Sequence, residues 1–241
     1  MKSITLVSLF ASAALAAACG GGGSSGSPAA PGPAPAAGGT ATFDAQHAWT
    51  NLLSTTRSWT VTGTGSDGFV YVLTLATEPG GTQVFPLTGV AASVSSFRNR
   101  LVREGSLQQE VLNEQFFDSE YRLLGSRVSA DGGAADCSKT EVVAAIPLVG
   151  ASVGATGPLY AATTYTDCTP GASQLGTSYH SWSVIGEAGL VYLCVSSSNK
   201  FIGETTERVS ETCVQTDAAG NLGSQARIRL VLPGFSVTAT N

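Results

Sequence analysis

His47 and His180 are the only imidazoles in the chain, so a hydrolytic reaction run by a histidine base would have to use one of them. His47 falls on the exposed face of a short predicted helix. His180 adjoins Ser181 and Trp182 in a predicted strand, where neighbouring side chains point to opposite faces. A solvent-side or hydrogen-bonded strand histidine is the expected role. Glu204, Glu207 and Glu211 gather around Arg208. Alternation puts Glu207 and Glu211 on one face and Glu204 with Arg208 on the other, a solvated edge rather than an acid–base pair.

Two nucleotide- and hydrolase-like spellings fail in their context. Gly63-Thr-Gly-Ser-Asp-Gly68 fits G-x-G-x-x-G, but a dinucleotide site needs that loop to open a helix. Here it runs into Phe69-Val-Tyr-Val-Leu and reads as a hairpin turn. Gly22-Gly-Ser-Ser-Gly26 fits G-x-S-x-G, yet it lies in a Gly/Ser stretch with no strained elbow to hold a nucleophile. H-E-x-x-H, P-loop and EF-hand patterns are missing from the sequence. No catalytic residue, cofactor or metal site is expected.

Cysteine chemistry is more informative. Cys137, Cys168, Cys194 and Cys213 are spaced by 31, 26 and 19 residues, without a C-x₂-C knuckle for zinc. Three pairings into two disulfides are open, and the pattern suits an oxidising compartment. The favoured pairing joins Cys137 to Cys168 across the middle connection and Cys194 to Cys213 between neighbouring strands.

Cys19 stands apart. Lys2 and the apolar run Ile4 to Ala18 make a signal peptide over 1–18, since about 15 residues are too few for the roughly 20 that span a bilayer. Ala16, Ala17 and Ala18 before Cys19 resemble the lipobox of bacterial lipoproteins, although Leu15 lies four residues before the cysteine rather than three. The resemblance implies cleavage before Cys19 and its acylation. Gly20 in place of Asp implies sorting to the outer membrane, so the expected location is lipid-anchored there, facing the periplasm or the cell surface. Residues 19–41 form a tether: from Gly20 on it has eight Gly, four Pro and no charge, a composition that cannot offset its ordering entropy. Its coil reach is about 25 Å.

The rest, 42–241, reads as one β-rich domain. Its opening, Asp44-Ala-Gln-His-Ala-Trp-Thr-Asn-Leu-Leu, predicts a short helix capped by Asp44, with Ala45, Ala48, Trp49, Leu52 and Leu53 on one face. Afterwards β-branched and aromatic runs alternate with Gly, Asp, Ser and Pro, predicting strands at 57–63, 69–76, 106–117, 120–128, 158–166, 179–185, 189–196, 201–214, 224–232 and 235–240. The segment 78–105 reads as a strand or an irregular cover. Phe69 to Leu73 is apolar on both faces, as in a doubly buried strand, whereas 106–117 and 201–214 mix polar and apolar residues as edges or solvent-facing strands do.

A phrase recurs. Ser58-Trp-Thr-Val-Thr-Gly and Gly68-Phe-Val-Tyr-Val-Leu parallel Ser181-Trp-Ser-Val-Ile-Gly and Gly189-Leu-Val-Tyr-Leu-Cys. A second match at a fixed offset pairs Gly105 with Gly203, Val111 with Val209 and Leu124-Gly125-Ser126 with Leu222-Gly223-Ser224. Two related meanders, about 55–130 and 177–232, would build an all-β antiparallel sandwich or open barrel. Even separations should keep Trp59, Tyr71, Trp182 and Tyr192 on matching faces. These four are core positions or, in an open barrel, the first candidates to line an apolar or glycan-stacking mouth.

The body is similar in texture to uncharacterised secreted β-rich proteins of proteobacteria, in residues 157–166, the Ser-Trp…Val-Tyr-Leu-Cys hairpin and Asp217-Ala-Ala-Gly-Asn-Leu-Gly. That likeness transfers no catalytic residue. Charged residues are only 12% of the chain and the net charge is −5, which speaks against nucleic acid as a partner. The expected function is a non-catalytic, outer-membrane-anchored binding or envelope-scaffold module, partnered by the membrane and by an envelope protein, lipid or glycan. The alternative is an extracytoplasmic hydrolase of an envelope polymer or ester, built on His180 and a carboxylate.

Overall fold

The computed structural model describes residues 41–142 and 145–241; the signal segment, Cys19 and residues 20–40 of the tether lie outside the described residues. The helix forms where its pattern placed it. α1 (Ala45–Ser54) begins at Asp44, whose carboxylate accepts the His47 amide N–H at 2.8 Å, and it buries Ala45, Ala48, Trp49, Leu52 and Leu53. Before it, β1 (Thr42–Phe43) pairs with a distant two-residue strand.

The strands that follow are β2 (Arg57–Thr64), β3 (Val70–Val84), β4 (Ala91–Arg103), β5 (Ser106–Phe117), β6 (Leu123–Ala130), β7 (Asp136–Val142) and β8 (Ala151–Ser152), the partner of β1. Then come β9 (Thr156–Tyr165), β10 (Gln174–Glu187), β11 (Leu190–Phe201), β12 (Arg208–Thr216), β13 (Leu222–Leu232) and β14 (Phe235–Thr240). Twelve of them close into an antiparallel barrel in the order β10-β11-β12-β13-β14-β2-β3-β4-β5-β6-β7-β9, with β9 returning to β10. The fold is therefore all-β with one short helix. Of the two architectures left open by the sequence, the molecule takes the barrel and closes it. An open antiparallel sheet of twelve strands would expose two long edges, and closure removes both.

Width explains the helix. Eight strands enclose a space that side chains alone can fill, and twelve enclose more. α1 lies in one end of the lumen and brings Trp49, Leu52 and Leu53 into the main apolar core with Trp59, Leu73, Leu75, Trp182, Leu193, Ile228 and Leu230. It is held by Asp44 N–H to Ala218 O at 3.0 Å, Asn51 Nδ2 to Gly220 O at 3.0 Å and Trp49 Nε1 to Tyr121 O at 3.2 Å. All three acceptors belong to the connections 118–122 and 217–221 at that end of the barrel. Bulges at Pro79/Gly81 and His180/Ser181, the latter opposite Pro158, bend strands where a proline cannot donate to the ladder.

Segment 78–105 is a strand and more. β3 and β4 extend beyond the barrel rim, and their connection folds Phe85 onto the outer face against Ala92, Val94 and Phe116. A Cβ at Gly125 would lie 2.3 Å from the Phe85 ring and 2.2 Å from Ser138 O, so only glycine fits beneath it.

Several sequence expectations need correction. The run 201–214 is not one strand: the chain turns at 202–207, and β12 starts at Arg208. β7 is an additional strand whose polar sequence hid it. β3 is not buried on both faces, since Phe69 and Val70 are exposed, the former capped by the Arg103 guanidinium at 4.7 Å. β5 and β12 are not edges; each has two neighbours.

The two recurring phrases do not fit one superposition. The first equates β2–β3 with β10–β11, which makes β4 the counterpart of β12. The second equates β5 with β12, and one extra strand in an antiparallel meander reverses the direction. Faces disagree as well: Val111 is buried, whereas the Val209 partner lies outside the core.

Both disulfides form as paired from the sequence, Cys137–Cys168 and Cys194–Cys213. Cys194 and Cys213 are direct cross-strand partners on the outer face, beneath Arg227, whose Nη1 meets Glu187 at 2.9 Å and Nη2 meets Glu211 at 2.8 Å. Loops of these lengths stabilise by about 3 kcal/mol each through the unfolded chain. Replacing either pair by serines should lower the unfolding free energy by that amount, read as a lower urea midpoint, and an unchanged midpoint would show that the bond adds nothing to the closed ladder.

Candidate functional site

Where α1 stops, the lumen is not filled. A cavity of about 60 Å³ lies beneath the helix, lined by Trp49 and Leu52 from α1, Phe97 and Asn99 from β4, Asn113 and Gln115 from β5, and Tyr160 from β9. Its other wall is His180 on β10, Val195 and Ser197 on β11, and Ser210 and Thr212 on β12. One flank is aromatic and aliphatic. The other is amide, hydroxyl and imidazole.

Strand register places these groups. Phe97 faces Asn113 and Asn99 faces Val111 across β4 and β5, so the two amides are diagonal neighbours on one face. His180 faces Ser197, which faces Ser210, and the two serine oxygens lie 2.6 Å apart. Tyr160 sits opposite His180 and their rings stack with centroids 3.7 Å apart.

Every lining group is uncharged. Burial pushes the Tyr160 phenol well above its ordinary range and pulls the His180 imidazole down to about 3, so both are neutral near pH 7. His180 is therefore neither solvent-side nor an available proton acceptor. Its side chain is 7% exposed and points inward with Trp182, two residues on. Among the described residues, no carboxylate lines the cavity.

The charged residues sit outside. Arg98 pairs with Glu110 at 2.5 Å, Arg127 with Glu114 at 2.6 Å, and Arg122 with Asp118 at 2.8 Å. Arg208 pairs with Glu204, while Glu207 accepts from Ser198 and Glu211 from Ser196 and Arg227. The acidic cluster is thus divided among structural partners. Among the described residues, no group of three or more His, Cys, Asp or Glu could hold a metal, and no helix is long and apolar enough to cross a membrane.

Of the four aromatic candidates, Trp59, Tyr71 and Trp182 take core positions and Tyr192 does not. Trp59 is buried and donates Nε1–H to Gly223 O at 3.0 Å. Tyr71 is buried against Phe235 and donates its hydroxyl to Asp67 at 2.7 Å. Trp182 packs over Gly157. None of these lines the cavity, and Tyr192 lies on the outer face opposite Ile185. Even separations do not preserve the face here, because the turns differ: five residues join Thr64 to Val70, but two join Glu187 to Leu190. That odd difference flips Tyr192 relative to Tyr71.

Asn99, Asn113, Ser197 and Ser210 were missed as a group. Their signal was present as polar residues alternating with apolar ones along Gln109-Val111-Asn113-Gln115-Phe117, a pattern that an edge strand and a polar lumen share. The chain matches no protein-family model, no curated protein and no solved structure.

Proposed function

We propose that this chain is a non-catalytic lipoprotein, anchored through Cys19 to the outer membrane, whose barrel is a binding or envelope-scaffold body. The observation that carries the reading is the segregation of charge. Ion pairs lie on the outer faces of β4 to β6 and of β10, β12 and β13, while the cavity lining is uncharged. A lipid-facing barrel would show an apolar outer band, so this barrel is a water-borne body that needs a separate attachment. Two disulfides agree with an oxidising, extracytoplasmic setting.

The chain enters the barrel at residue 41, at the end occupied by α1. The tether therefore leaves from that end, and the connections 131–135, 166–173 and 202–207 at the opposite end face away from the attachment. Envelope proteins, lipids or glycans are the partners that position can reach. A hydrolase would need a base, and an imidazole held near 3 by burial, with no carboxylate beside the cavity, is a poor one.

The test is fractionation with intact-mass analysis. The wild-type chain is expected in the membrane fraction with an acylated N-terminal Cys19, and Cys19→Ser in the soluble fraction. A mature wild-type protein starting at Cys19 without acyl mass would overturn the anchor. Turnover of an ester or glycan panel, abolished by His180→Ala in a folded variant, would overturn the non-catalytic reading.

A further inference from the structure

Inside the lumen, the protein leaves some of its own polar atoms unmet. Asn99 is 6% exposed and Asn113 2% exposed, yet Asn99 Nδ2, Asn99 Oδ1 and Asn113 Oδ1 have no hydrogen-bond partner. Both residues line the cavity from adjacent strands. A buried amide without partners costs stability that a leucine of similar size would not, so its presence calls for a reason.

We propose that the lumen cavity binds the uncharged amide or urea group of a small molecule, through a two-point hydrogen bond to the Asn99 side chain. The geometry is specific. Asn99 offers one free donor and one free acceptor on a single planar group, which complements the edge of a primary amide or urea. Asn113 Oδ1 offers a further acceptor for the second amide hydrogen. Trp49, Leu52, Phe97 and Tyr160 enclose the apolar remainder.

Charge selects against competitors. The lining contains no Arg, Lys, Asp or Glu, so an ion entering the cavity would lose hydration without meeting a counter-charge. Size selects as well. About 60 Å³ is well below the ~150 Å³ cavity that takes up benzene, and fits a molecule or terminal group of a few heavy atoms.

The inference rests on the binding-body reading and names its ligand class. Three molecules of one shape test it: acetamide, acetate and acetamidinium, added to the full-length protein. The readout is the indole N–H resonance of Trp49, which lines the cavity, with those of Trp59 and Trp182 as internal references. Acetamide is expected to give a saturable shift at Trp49 with Kd on the order of millimolar, as suits so few atoms. The two ions should bind at least about tenfold more weakly, a difference their desolvation readily supplies.

Asn99→Leu should abolish the shift and raise the melting temperature by about 3 °C, because it removes an unpaired buried amide. Asn113→Leu, which removes the further acceptor, is expected to weaken acetamide binding in the same direction. An acetamide response that is absent, equal for all three probes, or unchanged in the leucine variants overturns the site. A leucine variant that melts several degrees lower also overturns it, since the amide would then be structural. Conversion of acetamide to acetate would instead overturn the non-catalytic reading itself.

Discussion

Acidification from pH 7 to pH 3 is expected to remove about 4 kcal/mol of stability through His180 alone. The imidazole ordinarily titrates at 6.5, and burial holds it at about 3 in the folded barrel. Between those values the unfolded chain binds a proton that the folded state refuses. Stability from this group is therefore complete above about 6.5, falls steadily with pH, and stops falling near 3. About 3 kcal/mol should be gone by pH 4. Turn carboxylates such as Asp167 and Asp217, held below their usual range by hydrogen bonds from Thr169 and Asn221, add their own losses only at lower pH. Urea midpoints measured from pH 7 to 4 isolate the histidine. His180→Gln should flatten that slope. A wild-type midpoint that is constant over this range would mean that the ring reaches water.

The second large effect is at the seam between β14 and β2. This closure is sparse: Thr62 faces Thr240, Gly65 bridges to Val237, and Ser66 and Ser236 exchange two hydrogen bonds at 2.7 and 2.9 Å. Between them the backbones nearly touch, and a Cβ at Gly63 would lie 2.1 Å from Thr238 O. That neighbour is main chain and cannot swing aside. Gly63→Val should cost about 3 kcal/mol or more, the upper range of overpacking effects. Parting the seam also creates two strand edges, so self-association should rise with the loss. Denaturation and size-exclusion chromatography check both. Gly133→Ala, whose nearest contact would be Ala130 O at 3.2 Å, is the control and should change stability by less than about 1 kcal/mol. Equal behaviour of the two variants would show that the seam is not closed as described.

Local chemistry made much of the molecule legible. Asp44 and the spacing of Ala45, Ala48, Trp49, Leu52 and Leu53 specify a capped helix with one buried face, because both features act within a few residues. Alternation and turn residues specify β5 and β14 to the residue, and β2, β6, β9 and β13 to within three. An even set of four cysteines after Cys19 was enough to indicate two bonds, since thiol pairing in an oxidising setting depends little on the fold.

What needed the tertiary structure was every property set by a count around the whole ring. Closure joins β14 to β2 and β9 to β10, and no window of sequence contains those pairings. The face of Tyr192 followed from a two-residue turn, and a one-residue difference in any connection would reverse it. His180 and the polar residues of β5 and β12 look solvent-facing because alternation separates two faces without saying which is wet. Twelve strands made the lumen too wide for side chains alone, α1 filled one end, and the remainder became a neutral polar cavity. Sequence periodicity determined the elements; only the number of strands in the closed ring decided that the polar side of several of them would face inward.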